Sequence, residues 1–125
     1  MSKIVTAVNA MILNTEKISD VLYIGWWMFF LYDGKYVWSI RWDEPTDQYY
    51  LCLYPDLSME RLESLSDLEW EHVRSVTYST EELKTREAKE SFAELYLIVK
   101  EKAHGVDRVL DDIIGTSENW GHEHF

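Results

Sequence analysis

Few side chains in this chain have the type and spacing that chemistry needs. Cys52 is the sole thiol. As a nucleophile it would need a helix N-terminus or a neighbouring cation to lower its pKa. It stands instead in the apolar run Leu51-Cys52-Leu53, which predicts a packed, inert side chain. No Cys–His arrangement, Gly-x-Ser-x-Gly elbow or phosphate-cradling glycine loop is present. At the C-terminus, His122-Glu123-His124 could chelate a metal, with Glu118 as a further oxygen donor. A structural zinc site, however, wants four ligands on a firm scaffold, and His72 and His104 lie elsewhere in the sequence. Carboxylates abound, yet acid–base catalysis needs two of them in contrasting environments, which abundance does not supply. The expectation is a protein that is not an enzyme, with no cofactor and no metal.

Binding is the better prospect, and aromatic residues carry it. Six tryptophans and eight tyrosines are present in 125 residues, and these side chains dominate the hot spots of protein interfaces. Their placement depends on the strands that hold them. Two aromatic runs flank Asp33-Gly34, a strong hairpin signal. A two-residue turn there would set Tyr32 against Lys35, Leu31 against Tyr36, Phe29 against Trp38 and Trp27 against Ile40. The loop Asp43–Asp47 then returns the chain into a strand from Gln48 to Tyr54, which Pro55 ends.

Strict alternation sorts these strands into two faces. One carries Trp27, Phe29, Leu31, Trp38, Ile40 and Leu51 and is read as the core face. The other mixes Trp26, Phe30, Tyr32, Arg41, Tyr50 and Tyr54 with smaller residues. If solvent reaches it, this second face is an aromatic platform, with Trp26 beside Arg41 in cation–π range. If helices cover it, it is a second core. Four helical segments are available, enough to cover both faces.

Those segments are read as follows. Ile4, Val8, Met11 and Ile12 mark a first helix over residues 3–14. A short helix over Leu57–Leu68 starts at a possible Ser58 N-cap, with Leu62 and Leu65 pointing inward. A weak fourth strand spans His72–Tyr78. Ser79-Thr80-Glu81-Glu82 has capping-box form and opens a long helix to about Ala103, with Ala88, Phe92, Leu95 and Val99 as its inner stripe. Val106, Val109, Leu110, Ile113 and Ile114 line a last helix that Gly115 would end. The predicted fold is α+β. A three- to four-stranded antiparallel meander packs with an N-terminal helix and two to three C-terminal helices. One domain is expected over 1–115, with a loose tail over 116–125.

Charge bounds the partners. Twelve basic against 23 acidic residues give a net charge of −11, so phosphate backbones and anionic membranes are repelled. A stacked-base platform is disfavoured for the same reason: only Lys35 and Arg41 would hold phosphates, beside the acidic loop of Asp43, Glu44 and Asp47. A protein partner with a basic surface fits better, steered by the acidic clusters; a homodimer through exposed aromatics is compatible with it. A single cysteine and no secretory leader pattern point to the cytoplasm. The most apolar run, Val21–Tyr32, is too short to cross a bilayer. In size and charge alone the chain is similar to small acidic inhibitors such as bacterial immunity proteins and phage anti-defence proteins. That resemblance implies binding to, and neutralisation of, a protein partner through Asp43, Glu44, Asp47 and the aromatics. The alternative expectation is a nucleotide or metabolite bound against the aromatic sheet face.

Overall fold

A computed structural model describes residues 2–123, apart from the side chains of Asp107 and 117–123. The order of elements is α1 (Lys3–Leu13), β1 (Ile18–Ile24), β2 (Trp27–Tyr32), β3 (Tyr36–Asp43), β4 (Gln48–Tyr54), α2 (Met59–Leu62), α3 (Asp67–Trp70), β5 (Val76–Ser79), α4 (Thr80–Leu83), α5 (Arg86–Ala103) and α6 (Val106–Glu123). The strands form one antiparallel sheet in sequence order, β1 to β5. The fold is thus α+β with five strands, not the expected three or four. The strand missed by pattern is β1. Val21–Tyr32 reads as one apolar run, but it folds back on itself at Gly25-Trp26, and Ile24 pairs with Trp27. Gly25 has φ +60°, the conformation a type II′ turn requires at its first central position.

The hairpin at Asp33-Gly34 forms, but its register differs from the expected one. Pairing resumes at Tyr32–Tyr36 and continues through Leu31–Val37, Phe30–Trp38, Phe29–Ser39 and Met28–Ile40. The loop is therefore three residues long. Asp33 and Gly34 both take positive φ, and the Asp33 N–H is drawn away to the Lys17 carbonyl at 2.9 Å. Slipping a strand by one residue turns every side chain to the opposite face. Met28, Phe30 and Tyr32 therefore join Trp38, Ile40 and Leu51, while Phe29 and Leu31 move to the other side with Val37, Cys52 and Tyr54.

Both faces are covered. On the first, α1 and α5 close over the strands; Val8, Phe30, Ile40, Leu51, Phe92, Leu95 and Val99 are wholly buried there. The stripe expected on α5 is the one that packs. Ser91 Oγ donates to Asn9 Oδ1 at 2.7 Å, tying α5 to α1. On the second face the segment 57–73 lies over Phe29, Val37, Cys52 and Tyr54, with Leu57 and Leu62 buried and Leu65, Trp70 and Val73 packed alongside. The single helix expected over Leu57–Leu68 is two one-turn helices. Ser58 caps the first, and a full Ser66–Glu69 capping box starts the second. Similarly, the long helix expected from Ser79 is interrupted at Lys84, which takes φ +55° after the single turn of α4; Thr85 then caps α5 afresh. At the far end, Gly115 does not terminate α6, whose backbone stays helical to Glu123. An interior glycine costs a helix about 1 kcal/mol, which α6 absorbs.

The second core contains one buried polar pair, Ser39 Oγ and Tyr54 Oη, 2.8 Å apart. Burial pushes the Tyr54 phenol far above its ordinary 10.0, because the phenolate would lose its water. A raised folded-state pKa contributes stability that is complete below about pH 10 and is lost as the pH rises further. Tyr54→Phe should leave Ser39 without its partner and destabilise the fold by about 1–3 kcal/mol. It should also flatten the decline in stability above pH 10 measured by denaturant unfolding. An unchanged alkaline slope would show that the Tyr54 pKa is the same in the folded and the unfolded chain.

Candidate functional site

In a meander whose neighbours follow sequence order, the β1–β2 and β3–β4 turns emerge at the same end of the sheet. That end gathers several of the residues expected to bind. Trp26, the second residue of the β1–β2 turn, is 84% exposed. Next to it in the sheet, Trp27, Arg41 and Tyr50 form a row across β2, β3 and β4. The Arg41 guanidinium lies 6.0 Å from the Trp27 ring centre and 5.9 Å from that of Tyr50. The cation–π partner of Arg41 is therefore Trp27 rather than the expected Trp26, a consequence of the shifted register. Arg41 also pairs with Asp43 at 3.1 Å.

The acidic turn at this end is held by internal partners. Asp43 accepts from Thr46 Oγ1 as well as from Arg41. Asp47 accepts from the Trp42 indole N–H at 3.0 Å and pairs with Lys89 of α5 at 2.8 Å. The Lys89 ammonium and the Trp42 N–H together hold the Asp47 carboxyl below its ordinary 3.8. Behind the turn, Trp42, Tyr49 and Tyr96 pack as an aromatic trio with ring centres 5.7–6.3 Å apart. Two of the three carboxylates are thus paired locally, and Glu44, also exposed, is the turn's remaining charge.

The remaining expected site residues are elsewhere. Phe30 is wholly buried in the first core, Tyr32 is half-buried beside that core at the opposite end of β2, and Tyr54 is buried in the second. The continuous platform of Trp26, Phe30, Tyr32, Tyr50 and Tyr54 does not exist. Helical cover on both faces and the one-residue shift in register remove it.

A cleft missed by sequence reasoning opens beside the Trp26 end. It has a volume of about 340 Å³ and is lined by Ile24, Trp27, Phe29, Tyr54, Trp70 and Val73. Here the short helices α2 and α3 fall short of covering the second face. Its residues come from β1, β2, β4, α3 and the segment after α3, so no local motif announces it. A second cleft, of about 260 Å³, lies between Asp56, Arg61, Glu69, His72 and Arg74; opposed charges line it, and Arg74 is paired with Asp56 at 3.1 Å. Among the described residues, no group of three or more His, Cys, Asp or Glu side chains is placed to hold a metal. His124 lies outside the described residues, as does the His122 side chain. Cys52 is buried, with its Sγ 3.2 Å from Thr77 Oγ1. No helix of the described residues is long and apolar enough to cross a membrane.

The Asp47 contacts predict an acid-sensitive turn. A lowered carboxyl pKa contributes stability that is present above about pH 4 and disappears as the pH falls through the folded-state value. The Trp42 indole N–H resonance should therefore shift on acidification below pH 4, and Asp47→Ala should shift it at neutral pH. An indole signal indifferent to both would mean that Asp47 does not hold the turn to α5 in solution. The chain matches no protein-family model, no curated protein and no solved structure.

Proposed function

We propose that this chain is an acidic interaction protein that binds and neutralises a protein partner bearing a basic site, in the manner of an immunity-type or anti-defence inhibitor. One observation carries the reading: Trp26 stands 84% exposed at a hairpin tip, at the same end of the sheet as the acidic β3–β4 turn. An isolated tryptophan in water is a cost to a monomer and an anchor for a complex, because its large ring gains most when fully desolvated. Trp27, Arg41 and Tyr50 supply a firm base around it, and Glu44 an outward charge. The net charge of −11 would steer a basic partner from a distance, an effect that salt weakens. No bond-making chemistry is part of this reading, and the lone cysteine suits a reducing cytoplasm.

A second reading, binding of a small flat ligand, draws on the aromatic-lined cleft of about 340 Å³ beside Trp27 and Trp70. It predicts a tryptophan fluorescence response to a nucleotide or metabolite panel, whereas the inhibitor reading predicts none.

The direct test is to immobilise the chain and pass host lysate over it. A single stoichiometric partner, eluted by moderate salt, is expected. Trp26→Ser should weaken its retention by about tenfold or more, as loss of a central anchor does, and Glu44→Lys should slow its association. If a folded bait retains only background, the partner model fails.

A further inference from the structure

Four aromatic side chains, Trp27, Phe29, Tyr54 and Trp70, line the cleft beside the Trp26 end. Phe29 and Tyr54 are buried, while Trp27 and Trp70 are half-buried and keep part of their surface open. The ring centres of Phe29, Tyr54 and Trp70 lie 5.3–6.3 Å apart, and their planes are inclined to one another by 31–77°. A flat ligand can stack on only one such ring at a time. A compact, rounded group can touch several of them together. Shape therefore favours a rounded group in this space of about 340 Å³.

Charge narrows the ligand further. None of the side chains described along the cleft is charged at neutral pH. A phosphate or carboxylate would leave water there without meeting a cation on the walls, which is costly. An ordinary ammonium would meet no carboxylate to accept its N–H groups. The side-chain hydroxyls along the cleft are those of Ser75 and Tyr54, and Tyr54 Oη is already 2.8 Å from Ser39 Oγ. A quaternary ammonium escapes that penalty: it has no N–H to satisfy, and its methyl groups spread the charge over a rounded surface. Aromatic faces attract such a cation through the ring quadrupole. Rings at this end already hold one cation, since the Arg41 guanidinium lies 6.0 Å from the Trp27 ring centre and 5.9 Å from that of Tyr50. Its own charge is met by Asp43 at 3.1 Å. The net charge of −11 concentrates cations around the whole molecule. We propose that the cleft binds a quaternary ammonium group, carried by a small metabolite or by a trimethylated lysine of a partner protein. This assignment rests on the ligand-binding reading of the cleft and is independent of Trp26 and the β3–β4 turn.

The probes are choline and its uncharged isostere, which has a tert-butyl group in place of the trimethylammonium, with AMP as a flat anion at matched ionic strength. Titrated into the full chain, choline should shift the Trp27 and Trp70 indole N–H resonances saturably. The isostere should bind about tenfold more weakly, the loss expected of a cation–π attraction. The Trp42 indole, packed with Tyr49 and Tyr96 on the other face of the sheet, should not move. Trp70→Leu should weaken choline binding about tenfold and alter that of the isostere little, with circular dichroism to show that the variant folds. Trp27→Leu serves the same purpose if it does not, and the comparison of ligands on the unaltered chain needs neither. A trimethyllysine peptide that binds more tightly than choline supports the proposal with a protein as the source; the reverse order supports it with a metabolite. Equal binding of choline and the isostere overturns the proposal, as does binding of AMP where choline fails, and either result leaves the ligand-binding reading standing. If none of the ligands moves the Trp27 or Trp70 indole, both fall.

Discussion

The pairing of β2 with β3 across Asp33-Gly34-Lys35 is the contact from which the rest of the layout follows. Tyr32 pairs with Tyr36 instead of Lys35, and that one-residue difference decides which half of the aromatic strand β2 meets α1 and α5. With Met28 and Phe30 turned toward those helices, the first core closes around Ile40, Leu51, Phe92 and Leu95. With Phe29 and Leu31 turned the other way, the second face becomes apolar as well. Such a face cannot remain in water at a cost of about 25 cal/mol per Å². The segment 57–73 therefore has a surface to fold against, although its two helices are only one turn each and would not persist alone.

This arrangement consumes most of the aromatic residues. Phe29, Tyr54 and Trp70 pack against one another under the short helices, with ring centres 5.3–6.3 Å apart. Trp42, Tyr49 and Tyr96 join the sheet to α5. Trp38 is also buried, and its indole nitrogen meets no hydrogen-bond partner among the described residues, so packing at that position prevails over polar satisfaction. Among the described aromatic residues Trp26, at a hairpin tip, is the most exposed, with Tyr23, Tyr36 and Trp42 exposed to a lesser degree. The surface proposed for recognition is thus a hairpin end of the sheet, not a sheet face.

Electrostatics is organised on two scales. Locally, Arg41 with Asp43 and Lys89 with Asp47 brace the β3–β4 turn against the sheet and α5. Both pairs are partly exposed, so each is worth little in stability; their effect is to fix the turn's position. Globally, the excess of carboxylates leaves a field of one sign around the protein. That field acts on encounter with a partner more than on the fold.

The sequence by itself determined the elements whose signals are local. The heptad-like spacing of Ala88, Phe92, Leu95 and Val99 marks the buried face of α5, Ser58 and Ser79 mark helix starts, and Asp33-Gly34 marks a hairpin, because each depends on neighbours within one turn or one strand. The α+β class was legible from the same signals. Of the nine residues named as a binding set, Trp26, Arg41, Asp43, Glu44, Asp47 and Tyr50 do gather at one end of the sheet, since adjacent turns of a meander must. Tertiary structure alone decided the rest. A dozen apolar residues from Val21 to Tyr32 read equally well as one strand or two; only pairing of β1 with β2 settles the break, and pairing against β3 with the Lys17 carbonyl settles the register. Whether Phe30, Tyr32 and Tyr54 meet solvent depends on how far α1, α5 and the segment 57–73 reach across the sheet. The stripe of α6 has the same periodicity as that of α5. One is covered and the other is not, because burial depends on which elements meet, and periodicity records only that a face is apolar.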